Sequence, residues 1–159
     1  YGCCFPMGSD LPDRKRDEPP RFIVAASKDA LGANLDRVQI VKGWVSPEGE
    51  LMDKVFDVAW SGERQSDENG KLAPVGNTVD VSKATYTNDI GNTQLAAVWT
   101  DPDFDPLQRA CYYVRVLEIP TPRWSTFDAV KLGVDPPAQV PATIQERAWS
   151  SPIWYTPGS

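Results

Sequence analysis

Three consecutive residues, Arg123, Trp124 and Ser125, and three aspartates at alternate positions, Asp101, Asp103 and Asp105, are where this chain could do chemistry. A guanidinium forks onto a carboxylate or phosphate, an indole supplies a broad apolar contact, and a hydroxyl both donates and accepts. Arg123, Trp124 and Ser125 therefore read as interface or ligand-contact residues. Asp101-Pro102-Asp103-Phe104-Asp105 opens like a calcium loop, in which alternating carboxylates wrap a hard cation. That loop needs Gly at its sixth place and Glu at its twelfth, and here those places hold Pro106 and Tyr112. The run is a weak calcium candidate, and an aspartate-capped turn ahead of a strand is the plainer expectation.

Missing residues exclude more than present ones suggest. The chain has no histidine, which removes the usual general base of Ser and Cys nucleophiles and the commonest zinc ligand. Cys3, Cys4 and Cys111 are too few for a four-thiolate site, and we expect them to be free thiols. Gly70-Lys71 is followed by Leu72, so no phosphate loop forms, and no G-x-S-x-G elbow occurs. Lys and Arg total 16 against 22 Asp and Glu, a net charge of −6, with no basic block to neutralise phosphates. A nucleic-acid partner is not expected. No apolar run approaches the roughly 18 residues of a membrane span. We expect no catalytic residue and no cofactor in this chain.

The elements that must hold these residues are strands. Proline takes 15 of 159 positions, about twice its ordinary ~5% share, which leaves little room for long helices. Short runs rich in Val, Ile, Tyr, Phe and Trp alternate with polar residues between Gly, Pro, Asn and Asp. This predicts strands over 21–27, 35–45, 51–60, 75–81, 94–100, 110–119 and 148–155. The expected fold is an all-β antiparallel sandwich, immunoglobulin-like or related, with a long Pro-rich loop and at most one short helix. Residues 21–159 should form it, with 1–20 as an N-terminal extension or linker. The chain opens at Tyr1 rather than Met, and we expect a piece of a longer polypeptide.

Alternation also assigns faces. Ser46-Pro47-Glu48-Gly49 suits a type I turn between two of the strands. On the second of them Phe56, Val58 and Trp60 should face the core, as should Tyr112, Val114 and Val116 on a later strand, with Tyr113 and Arg115 outside. Tyr112 loosely matches a tyrosine corner. Residues 62–73 read as a polar, solvated hairpin tip. Residues 119–143 lack strand periodicity, and loops of that length are usually functional or cover a neighbour. Within them Ser125 or Thr126 could cap a helix over 127–132 that ends at Gly133. Six tryptophans stand at 44, 60, 99, 124, 149 and 154. Trp44, Trp60 and Trp99 lie in alternating strands and are expected in the core, whereas Trp124 sits in the long loop as the leading contact residue.

Several strings carry a resemblance. They are Arg37-Val38-Gln39-Ile40-Val41-Lys42-Gly43-Trp44, Pro74-Val75-Gly76-Asn77-Thr78-Val79-Asp80, Tyr86-Thr87-Asn88-Asp89-Ile90-Gly91 and Trp99-Thr100-Asp101-Pro102-Asp103-Phe104-Asp105-Pro106. To these add Glu118-Ile119-Pro120-Thr121-Pro122-Arg123-Trp124-Ser125-Thr126 and Ser151-Pro152-Ile153-Trp154-Tyr155. Across nearly its whole length the chain resembles the C-terminal portion of an uncharacterised bacterial family, domain of unknown function 3604. The resemblance implies a longer protein whose N-terminal half is similar to PHP-type metal-dependent phosphoesterases and holds the divalent-metal ligands. None of those ligands, and no catalytic residue, transfers onto this chain. The opening Tyr1-Gly2-Cys3-Cys4-Phe5-Pro6-Met7-Gly8 departs from the family pattern, so the cysteines inherit no role. The expectation is a non-catalytic accessory sandwich whose partner is the N-terminal domain of the same protein. The alternative is a stand-alone ligand- or carbohydrate-binding module, which rests on aromatic content.

Overall fold

Alternation of apolar and polar residues sets most of the main-chain pairing. The computed structural model describes residues 4–11, 18–68 and 70–157; Cys3 and Asn69 lie outside them. The strands are β1 (Asp10–Leu11), β2 (Arg21–Ser27), β3 (Leu35–Val45), β4 (Leu51–Trp60), β5 (Gln94–Thr100), β6 (Ala110–Glu118), β7 (Thr121–Pro122), β8 (Thr143–Ile144), β9 (Arg147–Trp149) and β10 (Ile153–Tyr155). Among the described residues the one helix, α1, is Trp124–Leu132. β1, β10, β6, β3 and β4 follow one another across a large sheet, with β9 also paired to β6. All its ladders are antiparallel except β1 with β10. β2 and β5 form a second, two-stranded antiparallel sheet. The fold is an all-β antiparallel sandwich with one short helix.

The core lies between the layers. Phe22, Val24 and Leu95 of the small sheet meet Val38, Ile40, Ala110, Tyr112 and Tyr155 of the large one. The β3–β4 hairpin turns at Ser46–Gly49, where the Gly49 N–H donates to Ser46 O at 2.9 Å and Gly49 takes a φ of 86°. Burying these side chains at about 25 cal/mol per Å² of apolar surface is the main force holding the layers together.

Three expectations change. Residues 75–81 form no strand. Asn77 Oδ1 accepts the Val79 N–H and Asp80 Oδ1 accepts the Ser82 N–H, so side chains capture groups a ladder would use. The expected strand over 148–155 divides into β9 and β10. Between them the Ser150 hydroxyl accepts the Val114 N–H at 2.9 Å in place of a carbonyl, and Pro152 has no N–H to donate. In β4 a bulge breaks the alternation: Val38 pairs with Ala59 but Gln39 pairs with Asp57, leaving Val58 over. Phe56 keeps its core side, while Trp60 comes to lie opposite Arg37 on the outer face. There its indole N–H donates to Arg64 O at 3.0 Å.

Candidate interaction site

Residues 119–143 are more ordered than a loop. Ile119 is buried, and its N–H donates to Asn34 O. β7 pairs with β8, and the Arg123 N–H donates to Ala142 O at 2.9 Å, so the chain enters α1 at a fixed angle. The helix starts one turn earlier than sequence predicts, with Arg123 as its N-cap in an extended conformation and no side-chain cap. The hydroxyls expected to cap it point elsewhere. Thr126 Oγ1, fully buried, donates to Ala142 O at 2.6 Å. Ser125 Oγ is buried with no hydrogen-bond partner among the described residues, and so is Arg123 Nε. Gly133 ends the helix in the left-handed region at φ 68°, and Val134 N–H to Ala129 O completes a Schellman closure.

α1 turns its apolar surface outward. Ser125, Thr126 and Ala129 are its buried residues. Trp124 is 71% exposed and Leu132 72%, and Phe127 and Val130 are exposed beside them. A helix covering its own sandwich would bury the large residues and expose the small ones. The structure thus brings Arg123, Trp124 and Ser125 together at one helix end: an exposed ring beside two buried polar atoms that lack partners.

The aspartate run has a different character. Asp101 is buried at the end of β5; its carboxylate accepts from Lys42 Nζ at 2.7 Å and from the Tyr112 hydroxyl at 2.7 Å. Lys42 Nζ also donates to Asp103 O at 2.6 Å and sits 5.7 Å from the Trp44 ring centre and 5.8 Å from that of Tyr112. Asp103 pairs at the surface with Lys54, and Asp105 caps the Leu107 N–H. A lysine ammonium occupies the position a cation would take beside Asp101. Among the described residues no group of three His, Cys, Asp or Glu side chains is gathered to hold a metal. The Tyr112 hydroxyl therefore serves a carboxylate rather than the backbone of a tyrosine corner. Burial, and next its bond to Asp101, hold its pKa well above the ordinary phenol value.

The outer face of the large sheet is polar and aromatic. Arg37 and Arg64 both pair with the buried Asp36 carboxylate, to which Gln145 donates at 2.9 Å. Arg115 Nε donates to Gln39 Oε1 and Gln39 Nε2 to Asp57. Trp149 lies opposite Arg115 and Trp154 opposite Cys111, with Tyr113 between, and both indoles are exposed. Near the end of β6, burial and then repulsion from Glu146 raise the Glu118 carboxyl above its ordinary value, and Lys28 works against them. Cys111 is a free thiol.

Lys42 and Arg64 were missed in the sequence. Lys42 shares the period-two phase of Val38 and Ile40, which was a usable signal for a core-facing charge. Arg64 sits in what reads as a solvated tip, but it donates to Asp36 O, Ser61 O and Ala73 O. Nothing local announces a partner 28 residues away.

No curated protein and no solved structure matches the chain. The family model described as a protein of unknown function, DUF3604, matches residues 1–157. The chain, a β-sandwich with an outward-turned helix, belongs to the DUF3604 family.

Proposed function

We propose that this chain is a non-catalytic accessory region of a larger protein, docking through α1 beside a PHP-like metallohydrolase domain of the same polypeptide. The observation that carries the reading is the Arg123 helix end. An exposed indole represents apolar surface whose burial is worth about 25 cal/mol per Å². Buried polar atoms left unpaired cost about 1–3 kcal/mol each. A docked surface with an apolar patch and a carboxylate would cover Trp124 and pair with the accessible part of the half-buried Arg123 guanidinium. Any divalent metal would be held by the neighbouring domain; this chain's residues position and cover and take no chemical step.

The test compares the longer protein with the isolated chain. Trp124→Ala and Arg123→Ala are expected to impair domain association or turnover in the longer protein. The same changes should leave the unfolding midpoint of the isolated chain nearly unchanged. Destabilisation of the isolated chain by several kcal/mol, as core truncations cause, would assign these residues to the fold and end the reading.

A second reading, a carbohydrate-binding module, is favoured by the two exposed indoles flanking Tyr113 on the outer face. Ring faces of this kind cover the C–H faces of sugars. It expects soluble oligosaccharides to quench tryptophan fluorescence, and the response to disappear in Trp149→Ala and Trp154→Ala.

A further inference from the structure

The layers of the sandwich are unequal. Among the described residues the large sheet is faced by β2 and β5 alone, so no described strand lies above the inner side of β6 beyond β2. A groove of about 520 Å³ opens there. Val114, Val116 and Ile153 form its floor, Phe5 and Met7 one wall, and β2 the other.

The pairing phase of β2 identifies the chemistry of that wall. The Lys28 N–H donates to Thr93 O at 3.0 Å and the Asp101 N–H to Pro20 O at 3.3 Å. Hydrogen-bonded pairs alternate in an antiparallel ladder, so with this register Phe22, Val24 and Ala26 bond to β5. The N–H and C=O groups of Arg21, Ile23 and Ala25 point away from β5 to the open edge, and these three residues line the groove. An apolar floor thus runs beside a row of peptide groups, at strand spacing, that are unpaired among the described residues.

We propose that this groove is a strand-addition site, in which an extended segment of a partner protein pairs with the free edge of β2. The segment lays alternate apolar side chains on Val114, Val116 and Ile153. Only a peptide backbone offers donors and acceptors at the repeat of the β2 edge; an acyl chain would fill the floor and leave those groups unpaired. A second copy of the chain is disfavoured by a net charge of −6 on each molecule. This inference stands apart from α1 and does not depend on it.

The test uses the full chain with a capped peptide of about six residues, the usual strand length, alternating Val and Thr. Binding is followed by calorimetry and by amide hydrogen exchange. The expected result is saturable binding with new protection at the Ile23 and Ala25 amides, while those of Phe22 and Val24, already paired, change little. Ile23→Pro removes one edge donor without touching the β2–β5 ladder and should weaken binding about tenfold, the upper value of one net hydrogen bond. A second measurement leaves the protein intact: N-methylation of the peptide amides that face β2 should abolish binding. Each of the following overturns the proposal: no peptide binding, binding unaffected by N-methylation, saturation by dodecanoate in place of the peptide, or edge protection arising from self-association of the chain in sedimentation.

Discussion

Lys42–Asp101 and Arg123–Ser125 both withdraw polar groups from water, and they end in opposite states. At the first, the carboxylate receives a lysine and a tyrosine, the ammonium receives a carboxylate and a carbonyl, and two ring faces flank the charge. At the second, a guanidinium nitrogen and a hydroxyl are buried without partners among the described residues, beside an exposed indole. A closed cluster serves the fold, because every group it desolvates is compensated inside the chain. An open one makes sense when something outside completes it. The difference separates a staple from a docking point without reference to residue type, since both contain a cation.

The largest effect is expected on breaking the closed cluster. Lys42→Met leaves the Asp101 carboxylate buried and short of its cation, and we expect a loss of about 3–5 kcal/mol in urea unfolding at neutral pH. Asp101→Asn added to Lys42→Met should recover part of it, because the buried charge is gone. A small loss in the single variant would mean that water reaches Asp101 and that the cluster is not closed.

The next effect bears on how α1 is anchored. Thr126→Val keeps the side chain's shape and removes one of the two donors to the Ala142 carbonyl, the Arg123 N–H being the other, with an expected cost of about 0.5–1.5 kcal/mol, that of one net hydrogen bond. If Thr126→Val costs as little as a surface change, α1 is not fixed to the sandwich, and the orientation of Trp124 is not preset.

A smaller effect depends on pH. The Glu118 carboxyl is raised above its ordinary 4.5 by burial, so between that value and its raised one the folded state binds more proton than the unfolded state. Stability then falls as pH rises through this window, and the penalty is complete above it. Glu118→Gln should therefore raise the unfolding midpoint at neutral pH, with the gain vanishing below the ordinary carboxylate value. A gain that persists in acid would place its cause in packing rather than charge.

These contrasts track what could be read from sequence. β2, β3, β4 and β5 were legible to the residue because period-two burial is local and each run is bounded by turn formers. The bulge at Val58 was not, since it is defined by the register of β4 against β3 and not by any residue within β4; with it went the placement of Trp60. α1 was half legible: Gly133 marked its end, but its start is set by β7 and β8 pairing across 20 residues of chain. Asp101 stood out as a calcium candidate on spacing alone, whereas the group that faces it, Lys42, is 59 positions away. Arg123 and Trp124 drew notice by chemical type, whereas the exposure of the indole and the unpaired Arg123 Nε arise only in the folded chain.

Calcium supplies a near-zero expectation for the closed cluster. With Lys42 Nζ already on Asp101 and Asp103 O, added calcium should leave the melting temperature of the chain unchanged. A rise that grows with calcium concentration, as mass action requires of a ligand for the folded state, would show that Asp103 and Asp105 recruit an ion at the surface.

Among the substitutions, the smallest expected change is also the most discriminating for the open site. In the isolated chain Trp124→Ala removes a ring that is mostly in water, so stability should move by no more than about 0.5 kcal/mol, the range of ordinary surface substitutions. Arg123→Ala should do as little or stabilise slightly, because it deletes a buried nitrogen that has no partner. The two changes made together should stay additive in the isolated chain. In the longer protein they should couple, since one docked surface would contact both residues, and a double-mutant cycle on domain association reads that coupling directly. Additivity in both settings would mean that nothing docks across the Arg123 helix end, and the distinction between a closed cluster and an open one would then carry no functional meaning here.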